Sequence, residues 1–168
     1  MDKVVLTRRA LAAALVALAA TPGIATAAAP LSETRFREIR VDVAPLRANG
    51  SGDLVDWIAA ELPALLAKAF AAHLAPGDRN APILRARIDL VTLGSPGTST
   101  GLLLMGDTTD YIEGAGVVVG ASGREIASYP LMTSLPASTK FITSVELRLR
   151  VSQLAQSFAY WLPGQMGL

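Results

Sequence analysis

Ile83-Leu84-Arg85-Ala86-Arg87-Ile88-Asp89-Leu90-Val91-Thr92-Leu93 is the stretch on which the fold turns. Leu84, Ala86, Ile88 and Leu90 alternate with Arg85, Arg87 and Asp89. A period of two sends these sets to opposite faces of a strand, one toward a core and one toward water. The same alternation occurs upstream between Phe36 and Val43, where Ile39, Val41 and Val43 are separated by Arg40 and Asp42. Between the two strands the period changes. Ala44 to Gly52, with Pro45 and Asn49, reads as a loop. Asp53 is placed to cap a helix, with Asp56 in its first turn. Leu54, Ile58, Leu62, Leu65, Leu66, Ala69 and Phe70 form one helical stripe. Pro63 predicts a kink near Glu61, and Pro76-Gly77 the end of the element.

Downstream, Gly94 to Asp110 reads as a loop, and Tyr111 to Val119 as a third strand. Gly120-Ala121-Ser122-Gly123 turns the chain into a short fourth strand, Glu125 to Tyr129, which makes a hairpin. Pro130 to Lys140 reads as irregular. Thr143 and Glu146 have capping-box spacing, and Ile142 with Leu147 is placed for a hydrophobic staple. Leu147, Val151, Leu154, Phe158 and Trp161 follow a helical stripe that Pro163 is expected to stop. Val145 to Val151 also alternates strictly, so a fifth strand is the alternative there; the helical period continues to Leu162 and favours the helix. The order β-α-β-β-β-α permits one parallel crossover followed by an antiparallel hairpin. It predicts an α+β fold: a two-layer sandwich, with two helices on one face of a mixed four-stranded sheet.

The N-terminal residues belong to a different category. Lys3, Arg8 and Arg9 precede the small-apolar run Ala10 to Ala20, and Pro22-Gly23 breaks it. Ala25-Thr26-Ala27 supplies the small-x-small pattern of a signal peptidase site, which predicts a signal peptide over 1–27 and a mature start at Ala28. The run is too short to span a bilayer, so no membrane span is expected after cleavage. Thr7-Arg8-Arg9-Ala10-Leu11 resembles the twin-arginine export motif; an ordinary general-secretory signal also accounts for two adjacent arginines. Either route predicts a periplasmic location. Removing Lys3, Arg8, Arg9 and Asp2 turns the formal charge of +1 into −1. The organisation expected is a flexible lead-in over 28–35, one domain over 36–163 and a C-terminal tail over 164–168.

The hairpin Asp110-Tyr111-Ile112-Glu113-Gly114-Ala115-Gly116-Val117-Val118-Val119, then Ser122-Gly123-Arg124-Glu125-Ile126, resembles one that recurs in small periplasmic accessory proteins. That group includes lipoproteins auxiliary to envelope transport systems and the amino-terminal domain of the TolB type. The resemblance extends in topology over residues 36–162. It implies a non-catalytic role in envelope assembly or transport through protein–protein contact. The lipobox Cys of those lipoproteins has no counterpart here, and no site residue carries over.

The residues themselves exclude several chemistries. Without cysteine there is no thiol catalysis, iron–sulfur ligation or thiolate zinc. His73 is the sole histidine and reads as a surface or cap residue near a helix end. No Gly-x-Ser-x-Gly elbow presents a serine. The glycines of Gly94 to Gly101 lack the Lys-Ser/Thr of a phosphate loop, since Leu102 follows, and Gly114, Gly116 and Gly120 miss dinucleotide spacing. Asp107, Asp110 and Glu113 could supply oxygen ligands to Ca²⁺, but their spacing is not that of an EF-hand and a solvated reading is preferred. Arg40, Arg85 and Arg87 form a stripe diluted by Asp42 and Asp89, so no nucleic-acid partner is expected. No cofactor or metal is assigned.

Two features stand out from this background. Leu102, Leu103, Leu104 and Met105 are four consecutive apolar residues between glycine-rich and acidic segments; they are either a buried plug or a contact patch. Trp161, within Tyr160-Trp161-Leu162-Pro163, is expected to complete the core stripe, or otherwise to anchor an interface. The function expected is that of an exported accessory or binding protein, not an enzyme, acting by contact with an unidentified envelope protein. A carrier of a small apolar ligand or lipid, and an enzyme of unrecognised type, are the alternatives.

Overall fold

The computed structural model describes residues 31–50, 52–94, 109–137 and 143–168. Strand β1 (Glu38–Asp42) leads into a short helix α1 (Ala44–Ala48) and then the long helix α2 (Gly52–Ala69). A 3-10 turn (Ala71–His73) precedes β2 (Ile83–Thr92), which is followed by β3 (Thr109–Val119), β4 (Glu125–Pro136) and α3 (Ser144–Gln165). The four strands form one sheet in the order β1-β2-β3-β4. β1 and β2 are parallel, with Val41 opposite Ala86; β2–β3 and β3–β4 are antiparallel. The fold is therefore α+β with a mixed four-stranded sheet, and Val145 to Val151 is helix rather than a fifth strand.

Alternation governs β2 as far as Ile88. Leu84, Ala86 and Ile88 are fully buried. A β-bulge between Ile88 and Leu90 then shifts the register, so Val91 is buried and Leu90, expected on the inward face, is not. On α2, Val55, Ile58, Leu62 and Leu66 are buried, with Phe70 just beyond the helix. They share one core with Phe36, Leu84, Ile88 and Ile112 of the strand side and Val151, Leu154, Phe158 and Leu162 of α3. Phe36 and Phe70 meet edge to face at 6.0 Å. Among the described residues no helix is long and apolar enough to cross a membrane.

Several local expectations need correction. The segment after β1 is not wholly loop: Pro45 sits in the first turn of α1, where its fixed φ suits a helix start, and Leu46 is buried. α2 begins at Gly52, so Asp53 lies in its first turn and not before it. α2 passes through Pro63 and ends at Ala69, ahead of Pro76-Gly77. Ala59, whose carbonyl loses its donor to Pro63, is exposed, so water can satisfy it. β4 does not end at Tyr129; it runs through Pro130 to Pro136. β4 is an edge strand, and an edge tolerates a residue without an N–H. The Thr143–Glu146 capping box is present in both directions. Pro163 does not stop α3, which continues to Gln165 with Met166 fully buried behind it. Leu31 is packed on the core and donates its N–H to the Met166 carbonyl at 3.0 Å, which ties the start of the described chain to its end.

Candidate contact surface

The expected patch Leu102–Met105 lies outside the described residues, as do Asp107 and residues 1–30. What is described are the two stems of that loop. Asp110, at the start of β3, is 2 % exposed and faces Arg150 of α3, which is 3 % exposed. Arg150 Nε donates to Asp110 Oδ2 at 2.7 Å and its Nη2 to Asp110 Oδ1. Nη2 also donates to the Gly94 carbonyl at 2.6 Å, while the Gly94 N–H donates to Asp110 Oδ1 at 2.9 Å. One guanidinium thus fastens both stems. Its charged form is favoured first by the hydrogen bonds to Asp110, against the cost of burial, and its pKa is raised. Nη1 is buried without a hydrogen-bond partner among the described residues. Asp110 is therefore committed to an arginine. It is also on the opposite face of β3 from Glu113, three residues away, so these two do not converge on a cation.

The arginines of the other sheet face are likewise engaged. Arg40 forms a two-point contact with Glu38, at 2.9 and 2.8 Å. That hydrogen bonding lowers the Glu38 pKa and raises that of Arg40. Arg87 binds Asp89 through two contacts, and Arg85 lies 3.6 Å from Glu125. This face is a neutral mosaic and not a basic stripe. His73 is half-buried in the 3-10 turn and its carbonyl accepts from the Phe36 N–H. It borders an open depression of about 390 Å³ with Ser32, Glu33 and Arg35. No hydrogen bond joins those side chains among the described residues.

Trp161 does not complete the core. It is 56 % exposed and Tyr160 is 73 % exposed, their rings edge to face at 5.1 Å. Leu162 takes the inward position instead. Trp161 stands over a concavity of about 550 Å³ shared with Thr133 and Ser134 of β4, and borders a second of about 660 Å³ with Gln153, Gln156 and Tyr160. All residues around both are uncharged. Exposed Met132 of β4 adds to the same margin. The three charges of α3 are used elsewhere: Glu146 in the cap, Arg148 at 3.7 Å from Glu61 of α2, and Arg150 in the buried pair. From Leu149 onward the exposed face of α3 carries no charge, with Leu149 and Tyr160 exposed along it and Val145 exposed in the first turn beside Glu146 and Arg148. A solvated helix normally carries charges there. The sequence holds the signal, since no charged residue occurs from Val151 to Leu168.

The edge of β4 is itself a poor template for another strand. Pro130 sits opposite Ala115 and lacks an N–H, so its nitrogen side is the solvent edge. Pro136, six residues on in unbroken register, shares that edge. Only Met132 and Ser134 present N–H groups between them. Gln165 Nε2 donates to the Pro130 carbonyl at 3.0 Å. Contact at this margin must therefore use side chains more than backbone.

No protein-family model matches the chain, and no curated protein does. Among solved structures it is similar to the PelC dodecamer from Paraburkholderia phytofirmans, at 12 % identity and a TM-score of 0.43, covering 84 % of this chain and 95 % of that one.

Proposed function

We propose that this chain is an exported protein of the bacterial envelope that acts as an accessory or binding module through protein–protein contact, without catalysis of its own. The observation that carries this reading is the exposed face of α3 from Leu149 onward, which is uncharged and continues into exposed Tyr160, Trp161 and Met132. Aromatic residues and methionine are enriched where proteins meet, and fully solvated faces rarely lack charge. The space between sheet and helices is occupied by Phe70, Phe158, Leu66, Leu154 and Ile88, all fully buried, which supports contact over carriage of an apolar ligand. Export rests on the basic, apolar and Ala25-Thr26-Ala27 segments.

The test is site-specific photo-cross-linking in the source bacterium, with the cross-linker at Gln156 and the chain otherwise intact. Discrete adducts with envelope proteins or with the chain itself are expected, and Trp161→Glu should abolish them while the melt is unchanged. Adducts that persist at parental level in Trp161→Glu would overturn the reading. Intact mass of the periplasmic product should begin at or near Ala28; full-length protein in the membrane fraction contradicts the export assignment.

Catalysis at His73 is a second reading, favoured by its place beside Ser32 and Glu33. Those two side chains are exposed and not linked to the imidazole, so no activated nucleophile is assembled. His73→Ala should leave the cellular role intact. Loss of that role with the melt unchanged would favour the enzyme.

A further inference from the structure

We infer that β1 is the seam of a two-fold dimer, in which the β1 strands of two copies pair antiparallel and join two four-stranded sheets into one of eight. This surface is separate from the face of α3, and the inference goes beyond the contact reading above. β1 is hydrogen-bonded to β2 on one side only. Alternate residues of a strand turn their N–H and C=O groups to opposite edges, so the other side of β1 is a row of backbone donors and acceptors. Among the described residues that side is occupied at Phe36. Its N–H donates to the His73 carbonyl at 2.7 Å, and its carbonyl accepts from the Ala75 N–H at 2.8 Å. The turn at Pro76-Gly77 then takes that segment away. From Glu38 to Asp42 the pairing with β2 runs in unbroken register and the strand holds no proline. The chain thus blunts one end of its sheet with two prolines and leaves the other end usable as a template.

Charge and space select the register. Glu38, Arg40 and Asp42 lie on the outer face of the sheet, while Ile39, Val41 and Val43 pack half-buried against the core. Opposed residues of a strand pair share a face, so each set meets its own set across the seam. An axis at Arg40 sets Arg40 against Arg40 and Glu38 against Asp42, which opposes like charges throughout. An axis at Ile39 carries Asp42 of the second copy to Phe36, where Leu74 and Ala75 are already seated. An axis at Val41 avoids both faults. It sets Arg40 against Asp42 twice, as an isologous contact requires. The groups needed are spare: Glu38 engages Arg40 Nε and Nη2 and leaves Nη1, and the Ala44 N–H engages Asp42 Oδ1 and leaves Oδ2. Asp42 has no ion pair among the described residues. On the core side the same register brings Val41 against Val41 and Ile39 against Val43, covering apolar side chains that a single copy leaves half-exposed.

The experiment is sedimentation equilibrium of the purified chain over a concentration series. A reversible monomer–dimer equilibrium is expected. Arg40→Asp sets two aspartates against two aspartates, and Asp42→Arg sets two arginines against two arginines, so each should weaken the dimer by about tenfold or more. An equimolar mixture of the two variants should recover it, because both contacts then join Asp to Arg. The chain has no native cysteine, which allows a second measurement that leaves these charges intact. Val41→Cys, on the axis, should oxidise to a covalent dimer faster than Ile126→Cys, an exposed control on β4. A chain that is monomeric to millimolar concentration, a larger or odd-numbered oligomer, a dimer indifferent to both charge variants, a mixture that recovers nothing, or a Val41→Cys chain no faster than the control would each overturn the inference. Cross-linking from Gln156 reads the α3 face independently, so either reading can fail while the other stands.

Discussion

Asp110 and Arg150, forty residues apart in sequence, form a buried two-point ion pair that joins the first residues of β3 to the first turns of α3. A buried charge left without its counter-ion costs more than the pair itself contributes. Arg150→Ala should therefore destabilise the fold by about 3–5 kcal/mol in urea melts. The double variant Asp110→Leu/Arg150→Met should lose clearly less than Arg150→Ala, because it leaves no orphaned carboxylate. Equal losses would show that Arg150 matters through its contact with Gly94 and not through its charge.

Gly114 and Gly116 should respond differently to alanine. A Cβ at Gly114 would lie on the Arg87 carbonyl oxygen, which belongs to the backbone of the adjacent strand at the bulge. A Cβ at Gly116 would meet Leu162 Cδ1 at 3.0 Å and Met166 Sδ at 3.1 Å, both ends of flexible side chains. Gly114→Ala should cost about 1–3 kcal/mol or more, and Gly116→Ala less. Thermal melts that rank the two in the opposite order would contradict this assignment of rigid and yielding neighbours.

Core and surface assignments separate at three apolar positions. Leu66 and Ile88 are fully buried on facing elements, so truncating either to Ala should cost about 2–5 kcal/mol. Trp161→Ala removes a larger side chain and should change stability by only about 0.5 kcal/mol. A melt of Trp161→Ala as depressed as that of Ile88→Ala would return Trp161 to the core.

Tyr129 gives the stability curve an alkaline edge. It is buried, and burial disfavours the phenolate, raising its pKa above the ordinary value of about 10. Above that ordinary value the unfolded chain releases the proton while the folded one keeps it. Stability is thus fully present below about pH 10 and falls as pH rises toward the folded pKa. Tyr129→Phe should flatten that decline in urea melts across the alkaline range, and an unchanged slope would argue against it.

The parts of this fold legible in sequence are those set by local chemistry. Alternation marks β1 and the first half of β2, and Thr143 with Glu146 marks the start of α3, because face and cap are decided within a few residues. The errors occur where distant parts of the chain decide. Pro130 reads as a strand breaker until β4 proves to be an edge. Trp161 and Leu162 both continue the stripe through Phe158, three and four residues on, and packing against the sheet selects Leu162. The bulge that replaces Leu90 with Val91 depends on pairing with β3. The partner of Arg150 could not be read from its neighbours Leu149 and Val151. The uncharged run after Arg150 was readable, yet its meaning depends on knowing which side of α3 faces outward.

The two prolines on the outer edge of β4 also bear on how large an assembly of this protein can become. An unblocked edge strand recruits copies one after another, since each added strand exposes a fresh edge, and growth has no natural end. With Pro130 and Pro136 interrupting that edge and Gln165 occupying a carbonyl between the strands and α3, growth through β4 has no foothold, and pairing through the other edge, β1, would end with two copies. Association directed instead to a helix face is consumed once that face is covered. Crowded or heat-stressed samples should then yield discrete, dissociable species and not fibres that bind amyloid dyes.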